Sequence, residues 1–442
     1  MANFFKEPNK KQVSNQPIKL TVQRISANGH GVSKFGGKPV FIPGVLLGEK
    51  VLVKTVEKKH KYIKAQLLEV IQPSEERVIP KCDHFLKCGG CDLQVFPYEQ
   101  QLTLKQRKVE ELFNRQNIQN LPWQPATLST PYHYRRKARI GVQFNKKGES
   151  IVGFRKEDSN QITAIKSCPV LLEPMQDIFR PLKQTIDRLS LGKSIGHVEV
   201  IYTDKITLVI RQLKKLNDND RAIWIEAEIE NKWKILINDG DSITSITPES
   251  PQDSMLRYFI QQNIKLAFSP SDFIQVNERV NDQMITKAIE WLALNAQDSV
   301  LDLFCGLGNF SLPIAQKVRK LTGVEGVQEM VDRAAENAKQ NSLANCAFHQ
   351  ANLNAPWLEC EWAKESFTKV ILDPARAGAY EAVQQLIQLK VETILYVSCD
   401  ASTLAKDCKV LIDAGYHIKK IMLMDMFSQT KHVETMVLFE RI

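Results

Sequence analysis

The sequence lacks any long hydrophobic run. None of its 442 residues belongs to a stretch of the roughly 18 apolar residues that a membrane-spanning helix needs, so we expect no membrane association. The opening MANFFKEPNKKQV has no apolar stretch of the kind found in secretory signals, which favours a cytoplasmic location. No internal repeat or low-complexity tract stands out. With 43% hydrophobic residues, a chain of this length is expected to form two or three globular domains.

A disulfide framework is also missing. The nine cysteines are odd in number and cluster only once, as Cys82, Cys88 and Cys91 in CDHFLKCGGC, with Cys168 further on in SCPV. Three cysteines within ten residues favour metal ligation over unligated thiols in a reducing compartment. Spacing alone does not separate a four-cysteine zinc site from an iron–sulfur cluster, although Cys168 followed by Pro169 is typical of ferredoxin-type clusters.

Positive charge is concentrated at one end of the chain. Residues 1–81 carry fifteen lysines or arginines and six acidic residues, which accounts for the whole net charge of +9. A basic module beside a neutral body indicates a polyanion-binding domain. The alternative is a solvated basic surface without a partner.

Short strands with glycine punctuation follow one another from Ile18 to about Ile71, and β-branched residues alternate with lysines. This pattern predicts a small β-barrel of the OB kind, which is a common platform for nucleic acids. The segment resembles a TRAM domain, and that resemblance implies RNA binding. We place this barrel at residues 12–72, and the PSEER segment after it has the composition of a linker.

The segment PYHYRRKARI, residues 131–140, interleaves aromatic and basic side chains. Tyr132, His133 and Tyr134 offer stacking faces beside four cationic residues, a combination that suits single-stranded RNA. A strand with one basic face has a similar pattern. Strand-like runs and polar turns continue to residue 270, so we expect an α+β central domain over residues 73–270.

From Ser299 the chain alternates strands and helices, which predicts an α/β doubly wound, Rossmann-like sheet within a domain spanning residues 271–442. The predicted buried strands are SVLDLFC, LTGVE, KVILD and TILYVS, and IKKIMLMDMF with ETMVLFERI form a closing strand pair. Ligands of such sheets bind outside the carboxyl ends of the strands. Cys399 follows the run ILYVS and is therefore a candidate nucleophile, although a small buried cysteine is the commoner outcome for this pattern.

The glycine turn in VLDLFCGLGNFSL indicates a nucleotide-type cofactor. Gly306 and Gly308 permit a tight turn and close backbone approach, and Glu325 follows at the end of the next strand, where an acid can bind ribose hydroxyls. A nicotinamide cofactor would need a third glycine where this chain has Ser311. S-adenosylmethionine has no pyrophosphate and fits the looser turn better. Asp373, at another strand end, would face the same cleft, or would instead cap a helix.

Taken in order, FSPSDFIQVN, DLFCGLGNFSL, LDPARAG, YVSCDASTLAKD and HVETMVLF resemble the S-adenosylmethionine-dependent RNA uracil-C5 methyltransferases. With the four cysteines and the TRAM-like barrel, the resemblance extends to the branch acting on uracil 1939 of 23S rRNA and covers most of the chain. It implies a class I methyltransferase fold and a [4Fe-4S] cluster on Cys82, Cys88, Cys91 and Cys168. It also implies 23S rRNA as partner, and we expect a monomer.

The same resemblance implies roles for individual residues. Cys399 would be the nucleophile and Glu434 the base. The residues lining the cofactor and base pocket would be Gln275, Phe304, Asn309, Glu325, Asn352 and Asp373.

Two positions depart from the family pattern. Asp400-Ala401 stands where Asn-Pro often follows the nucleophile, and Leu307 replaces a usual methionine. A carboxylate at Asp400 would raise the pKa of the adjacent thiol.

Four other functions share parts of this pattern. An amino-group methyltransferase would show Asn or Asp, two prolines and an aromatic where this chain has DPAR. A non-catalytic iron–sulfur RNA-binding factor would leave no methyl mark, and another rRNA or tRNA uridine is an alternative target. Radical chemistry on S-adenosylmethionine usually requires C-x-x-x-C-x-x-C, which the gap between Cys82 and Cys88 does not match.

Overall fold

The computed structural model describes residues 16–247 and 254–441. The start of the predicted barrel segment, residues 12–15, lies outside this range. The described residues divide into two compact units. One contains the chain up to Leu86, with Cys91–Leu104 and Gln429–Lys431, and the other contains Lys87–Gly90, Lys105–Ser428 and the residues from His432 onward.

The first unit contains the predicted barrel. Its strands are β1 (Ile18–Thr21), β2 (Arg24–Ile25), β3 (Gly31–Phe35), β4 (Lys38–Ile42), β5 (Lys50–Lys58) and β6 (Ile63–Gln72), in the order β1-β5-β6-β4-β3-β2. Only Val22 and Gln23 separate the two edge strands, and the Gln23 amide donates to the Val32 carbonyl, so the sheet closes on itself. Closure removes the exposed edges that a small sheet would otherwise present.

The PSEER segment is not a detached linker, contrary to its composition. Arg77 donates from Nη1 to both carboxylate oxygens of the buried Glu49, at 2.9 and 2.8 Å, and the Ser74 amide donates to Glu49 at 3.2 Å. A fully buried carboxylate needs such partners. The segment is therefore packed against the barrel.

The second unit opens with a mixed sheet. Its strands are β7 (Lys137–Phe144), β8 (Ser150–Arg155), β9 (Ile162–Ala164), β10 (Ile195–Tyr202), β11 (Ile206–Gln212), β12 (Lys234–Asn238) and β13 (Ile243–Ser245), in the order β13-β12-β11-β10-β7-β8-β9. The accompanying helices are α1 (Tyr98–Asn114), which starts in the first unit, α2 (Phe179–Arg188) and α3 (Asp218–Asn231). A hairpin of β14 (Leu256–Ile260) and β15 (Ile264–Phe268) follows. This arrangement is the expected α+β pattern.

A seven-stranded sheet occupies the rest of the second unit. Its strands are β16 (Ser299–Leu303), β17 (Lys320–Glu325), β18 (Cys346–Gln350), β19 (Lys369–Leu372), β20 (Thr393–Ser398), β21 (Tyr416–Met424) and β22 (Glu434–Arg441). The helices are α4 (Glu278–Leu292), α5 (Ser311–Ala315), α6 (Gln328–Gln340), α7 (Tyr380–Leu386) and α8 (Ala401–Asp413). The order is β18-β17-β16-β19-β20-β22-β21, and all neighbours are parallel except the pairs that include β22.

This sheet confirms the predicted doubly wound architecture and the closing strand pair. Every residue of β16 is buried, because a central parallel strand is covered on both faces. Strand β18 was not predicted, since its residues are only partly buried and its sequence, CAFHQ, is short and half polar. Within the two described ranges, no helix combines the length and the apolar character that a membrane span requires.

Candidate active site

The glycine turn after β16 has an unusual backbone. Phe304, Gly306 and Gly308 have φ values of +63°, +54° and +94°, which lie in the left-handed region that residues other than glycine rarely adopt. A Cβ at position 308 would lie 3.0 Å from Cγ of Leu312. The tight turn thus depends on glycine, and Phe304 holds a strained conformation of the kind found at ligand sites.

Glu325 ends β17 beside this turn. Its carboxylate accepts hydrogen bonds from the backbone amides of Gly306 at 3.2 Å, Gly326 at 2.8 Å and Val327 at 3.2 Å. Three backbone donors fix the acid in one orientation at the strand end, while the side chain stays partly exposed. Such a carboxylate retains acceptor capacity for two ligand hydroxyls.

Asp302 lies on β16 beneath the turn and is almost fully buried. Ser311 donates to one of its oxygens, and the other, Oδ1, has no hydrogen-bond partner. Burial, with the charges of Asp373 and Glu325, raises the pKa of Asp302 to about 7. An unpartnered buried carboxyl oxygen at a strand end is suited to a cationic or hydrogen-donating ligand.

We expect the unliganded protein to lose stability as the pH rises from about 4 to 7. Asp302 ordinarily titrates at 3.8, so the folded protein holds a proton that the unfolded chain has released throughout this interval. Stability is therefore fully present below pH 3.8 and lost as the pH passes the folded pKa of about 7. Asp302→Asn, which imitates the protonated acid, should relieve this penalty by about 2–4 kcal/mol at neutral pH.

The measurement is the melting temperature of wild type and variant at about pH 5 and pH 8. The matched control is Asp332→Asn, on the exposed face of α6, which should leave the melting temperature at both pH values as in the wild type. An equal effect of Asp302→Asn at both pH values would contradict the assignment.

Cys399 and Glu434 face each other across the last parallel and first antiparallel strands. Ser398, the last residue of β20, pairs with Thr435 of β22, so Cys399 and Glu434 lie at the same end of this strand pair. The thiol is partly buried, whereas Glu434 is 4% exposed and its Oε2 has no hydrogen-bond partner among the described residues. The fold thus sets a thiol against a buried carboxyl at the cofactor edge of the sheet.

Two carboxyl groups, Glu434 and Asp373, lie near the Cys399 thiol at this edge. Burial and the nearby Asp373 raise the pKa of Glu434 to about 8, and burial raises that of Asp373 to about 7. Burial, Glu434 and Asp373 together raise the pKa of Cys399 to about 11, while the Arg376 guanidinium acts in the opposite direction. Without ligands the thiol and Glu434 therefore hold their protons at neutral pH.

Asp400 does not have the effect on the thiol that its position in the sequence suggested. Its side chain caps α8, accepting from the amides of Ser402 at 2.8 Å and Thr403 at 3.3 Å. The carboxyls that raise the pKa of Cys399 are those of Glu434 and Asp373. A helix cap explains an aspartate directly after the nucleophile.

The remaining predicted pocket residues differ in exposure. Gln275 is buried, and its Oε1 has no hydrogen-bond partner among the described residues. Asn309 exchanges two amide hydrogen bonds with Asn281 of α4, at 3.0 and 2.9 Å. Asn352 is exposed and accepts from the Asn354 amide in a short turn after β18. Asn309 is thus tied to α4, Gln275 precedes that helix in the chain, and Asn352 follows the edge strand β18.

Comparison with known families was made on this geometry and on the whole sequence. The sequence profile of the tRNA (Uracil-5-)-methyltransferase family matches residues 97–442, and that of the TRAM domain matches residues 12–68. The chain belongs to the uracil-5-methyltransferase family.

Two relatives in this family span the full chain. The chain is 48% identical to the 23S rRNA (uracil(1939)-C(5))-methyltransferase RlmD of Colwellia psychrerythraea, covering 99% of both chains. It is 40% identical to the enzyme of the same name from Aliivibrio fischeri strain MJ11, covering 100% of both. Among solved structures, the tRNA (uracil-54, C5)-methyltransferase of Pyrococcus abyssi, in complex with S-adenosyl-L-homocysteine, superposes with a TM-score of 0.73 at 22% identity, over 96% of this chain and 100% of that one. This likeness confirms the fold.

The expected RNA-stacking segment of this family member is largely core. Tyr132 and Tyr134 are buried, and the Tyr134 hydroxyl donates to the Ser428 carbonyl at 2.9 Å. Arg136 is also buried, with its guanidinium 4.1 Å from the Tyr258 ring centre and its Nε donating to the Gln275 carbonyl. The interpretation of these three side chains as an RNA-facing surface was therefore wrong. Alternation of aromatic and basic residues does not distinguish an exposed strand from a buried one.

Arg136 and Asn281 are site residues for which sequence reasoning proposed no such role. Arg136 Nη2 is buried and has no hydrogen-bond partner among the described residues, while Nε of the same guanidinium donates to the Gln275 carbonyl at 2.9 Å and Nη1 lies 3.8 Å from the Glu278 carboxylate. Asn281 holds Asn309. Of the two, only Asn281 had a sequence signal, because it lies one turn into the helix that follows FIQVN. That signal is weak.

Cys82, Cys88, Cys91 and Cys168 carry thiols that are not joined in disulfides, and each is partly buried. Within residues 16–247 and 254–441, no group of three or more histidine, cysteine, aspartate or glutamate side chains is arranged to hold a metal ion. Burial raises the pKa of the Cys82 thiol. The described side chains therefore give no geometric support for a cluster, and no step of the chemistry is derived through one.

Proposed function

We propose that this protein transfers a methyl group from S-adenosylmethionine to carbon 5 of a uridine in 23S rRNA, the uridine at position 1939 named for its relatives. The observation that carries the proposal is that Cys399 and Glu434 lie at the same end of the β20–β22 pair, where Glu434 and Asp373 both raise the pKa of the thiol. Uracil carbon 5 is a weak nucleophile. A thiol that adds covalently to the ring, with a base beside it, is the arrangement that this reaction needs.

The proposed sequence of events uses two side chains. The Cys399 thiol gives up its proton to solvent and its sulfur adds to carbon 6 of uracil, which gives the ring enolate character. Carbon 5 then takes the methyl group; S-adenosylmethionine would supply it as an electrophile with a positive charge and would leave as the neutral thioether S-adenosylhomocysteine. Glu434 removes the proton from carbon 5, and the sulfur leaves carbon 6 as the thiolate. The positive charge of a bound cofactor near Glu434 and Asp373 would favour their ionised forms, so Glu434 can act as a base although it is protonated in the unliganded protein.

The cofactor site fits the turn and the acids around it. Gly306 and Gly308 allow close approach, and Glu325 has lone pairs for two hydroxyls. We assign cofactor binding to Gln275, Phe304, Asn309, Glu325, Asn352 and Asp373, with Asp302 as an addition.

Replacing Glu325 by glutamine should weaken S-adenosylmethionine binding by about 10- to 100-fold, because a charged acceptor for two hydroxyls is lost. Isothermal titration measures this constant, and RNA affinity should stay unchanged. The control is Glu329→Gln, which changes an exposed acid in the first turn of α6. Equal affinities for the two variants would contradict the assignment.

We assign recognition of the base to Gln275, whose buried Oε1 has no hydrogen-bond partner among the described residues. This oxygen can accept the N3–H of uracil, whereas cytosine lacks that proton. We therefore assign Gln275 to the base as well as to the cofactor.

We assign the binding of RNA outside the pocket to the barrel. Its basic composition and its TRAM profile support an RNA-binding role for residues 12–72, with residues 73–270 as central domain and residues 271–442 as methyltransferase domain. A target within folded RNA must be extruded from its stack, so contacts to flanking RNA are needed. We propose a monomer acting in the cytoplasm.

We also propose a [4Fe-4S] cluster on Cys82, Cys88, Cys91 and Cys168. The support is the spacing of the cysteines and the Cys-Pro pairing, and the cluster would have a structural or RNA-positioning role. Iron and sulfide analysis of anaerobically purified protein, alone and with Cys88→Ser, tests this. Zinc without sulfide would overturn the cluster assignment. Turnover that depends on added electrons would overturn the structural or RNA-positioning role.

The test of the proposed function is the position of 5-methyluridine in rRNA. Cells lacking this protein should lose the modification at uridine 1939 of 23S rRNA and regain it with the wild-type gene. Loss at another rRNA or tRNA uridine would identify a different target. No loss would favour a non-catalytic RNA-binding factor.

A further inference from the structure

A buried carboxyl outside the reacting groups connects the strand that ends at the nucleophile with the DPARAG loop. Asp407, on α8, is 2% exposed. Its Oδ2 accepts from the Tyr396 hydroxyl at 2.6 Å and from the Ala379 backbone amide at 2.8 Å. Tyr396 lies three residues before Cys399 on β20, and Ala379 directly follows the loop. One oxygen thus ties the two segments together.

The loop also lies unusually close to α8. Gly378 has a φ of +83°, and a Cβ there would be 2.8 Å from the Thr403 Cβ and 2.9 Å from Asp407 Oδ2. Thr403 Oγ1 donates to the Arg376 carbonyl at 3.4 Å and to the Asp400 carbonyl at 3.1 Å. Only glycine allows this approach, so the loop is held by contact as well as by hydrogen bonds.

The charges that face Cys399 come from two elements. Glu434 belongs to β22, and Asp373 and Arg376 belong to the loop. Arg376 is the cation among them. The Asp373 backbone amide donates to the Leu303 carbonyl at 3.4 Å, which fixes Asp373 at the end of β19 independently of α8. Loosening the contact with α8 would therefore displace Arg376 more than Asp373.

We propose that Asp407 is a positioning residue for methyl transfer, because it holds the DPARAG loop, which carries Asp373 and Arg376, against α8 and against the strand that ends at Cys399. Strand β19, which leads into the loop, pairs with β20, and a cation on the loop favours the thiolate against the two carboxyls. This inference rests on the proposed role of Cys399 as nucleophile. It adds a group that sets the reactivity of the thiol without touching a substrate.

The experiment measures how fast iodoacetamide alkylates Cys399 in the unliganded full-length protein between about pH 7 and pH 12, a range that includes the thiol pKa of about 11, read from the mass of its peptide. Gly378→Ala and Tyr396→Phe should move the titration midpoint to higher pH and slow alkylation at neutral pH by about 3- to 10-fold. The turnover number should fall similarly, with KM for RNA unchanged. Gly415→Ala is the matched control, because Gly415 follows α8 with a φ of +91° and a Cβ there meets no atom within 4 Å.

Two further variants separate loop position from charge and from general destabilisation. Asp407→Asn removes a negative charge, which by itself would lower the midpoint, so a rise identifies loss of the loop contact. Arg376→Gln should by itself raise the pH midpoint of Cys399 alkylation. Adding Gly378→Ala to that variant should then cause no further shift.

Identical midpoints for Gly378→Ala and Gly415→Ala would overturn the inference, as would additive shifts in the double variant. Wild-type methylation of rRNA decides the proposed function separately. A protein that methylates rRNA but shows no shift refutes only the role of Asp407.

Discussion

Replacing Cys399 by serine should abolish methyl transfer, with a fall on the order of 10⁴-fold or more. Carbon 5 of uracil attacks the methyl group only after a nucleophile has added to carbon 6. A serine hydroxyl ionises far less readily than a thiol, even one whose pKa is raised to about 11 by burial, Glu434 and Asp373. The measurements are transfer of labelled methyl to 23S rRNA and a covalent adduct with RNA carrying 5-fluorouracil at the target position. Fluorine cannot leave as a proton does, so the wild-type adduct persists.

The control for this variant is Cys360→Ser. Cys360 is also partly buried, and it lies in the segment before a short 3-10 helix at Glu361–Lys364, away from the carboxyl ends of the strands. It should retain both activities. An undiminished fluorouracil adduct in Cys399→Ser would assign the nucleophile to another residue.

The placement of Cys399 was predictable because a buried strand has a simple signal. ILYVS is apolar and short, the polar pair after it marks the strand end, and parallel strands direct their carboxyl ends to one edge. Glu325 and the glycine turn followed from the same reasoning. The pairing of the last two strands was also predictable, but their register was not. Ser398 opposite Thr435 is what brings Glu434 to the thiol, and hydrophobic patterns fix a strand's face, not its partner residue.

Features that depend on distant packing escaped prediction. Arg136 is basic among basic residues, and only the tertiary fold places its guanidinium on the Tyr258 ring. Asp400 was expected to act on its chain neighbour, but its side chain turns to the start of α8, because unpaired amides attract a short acid. The PSEER segment has a linker's composition, yet Arg77 neutralises the buried Glu49. For Arg136 and Arg77 the partner was supplied by a distant part of the chain, and for Asp400 it was supplied by the helix that begins next to it.

Replacing Glu434 by glutamine should separate methyl transfer from turnover. Glutamine cannot accept the carbon 5 proton, so elimination of Cys399 stops, and steady-state turnover should fall by about 10²- to 10⁴-fold. The first methyl transfer should not slow. Glu434 is one of the groups that raise the pKa of Cys399, so its removal makes the thiol easier to ionise. Natural uracil RNA should therefore accumulate as a methylated covalent adduct, with about one methyl transferred per enzyme.

Rapid-quench single-turnover kinetics, with denaturing gels for the adduct, distinguish this role from an earlier one. Glu440→Gln, an exposed acid on the same strand, should behave as wild type, since its neighbour is Lys419 and not the thiol. If Glu434→Gln lost the first methyl transfer together with turnover, the carboxyl would be needed before carbon 5 reacts, for cofactor binding or for taking the thiol proton. Retained transfer with a stalled adduct requires a base that acts after the methyl has moved, and the buried carboxyl opposite Cys399 is positioned for that step.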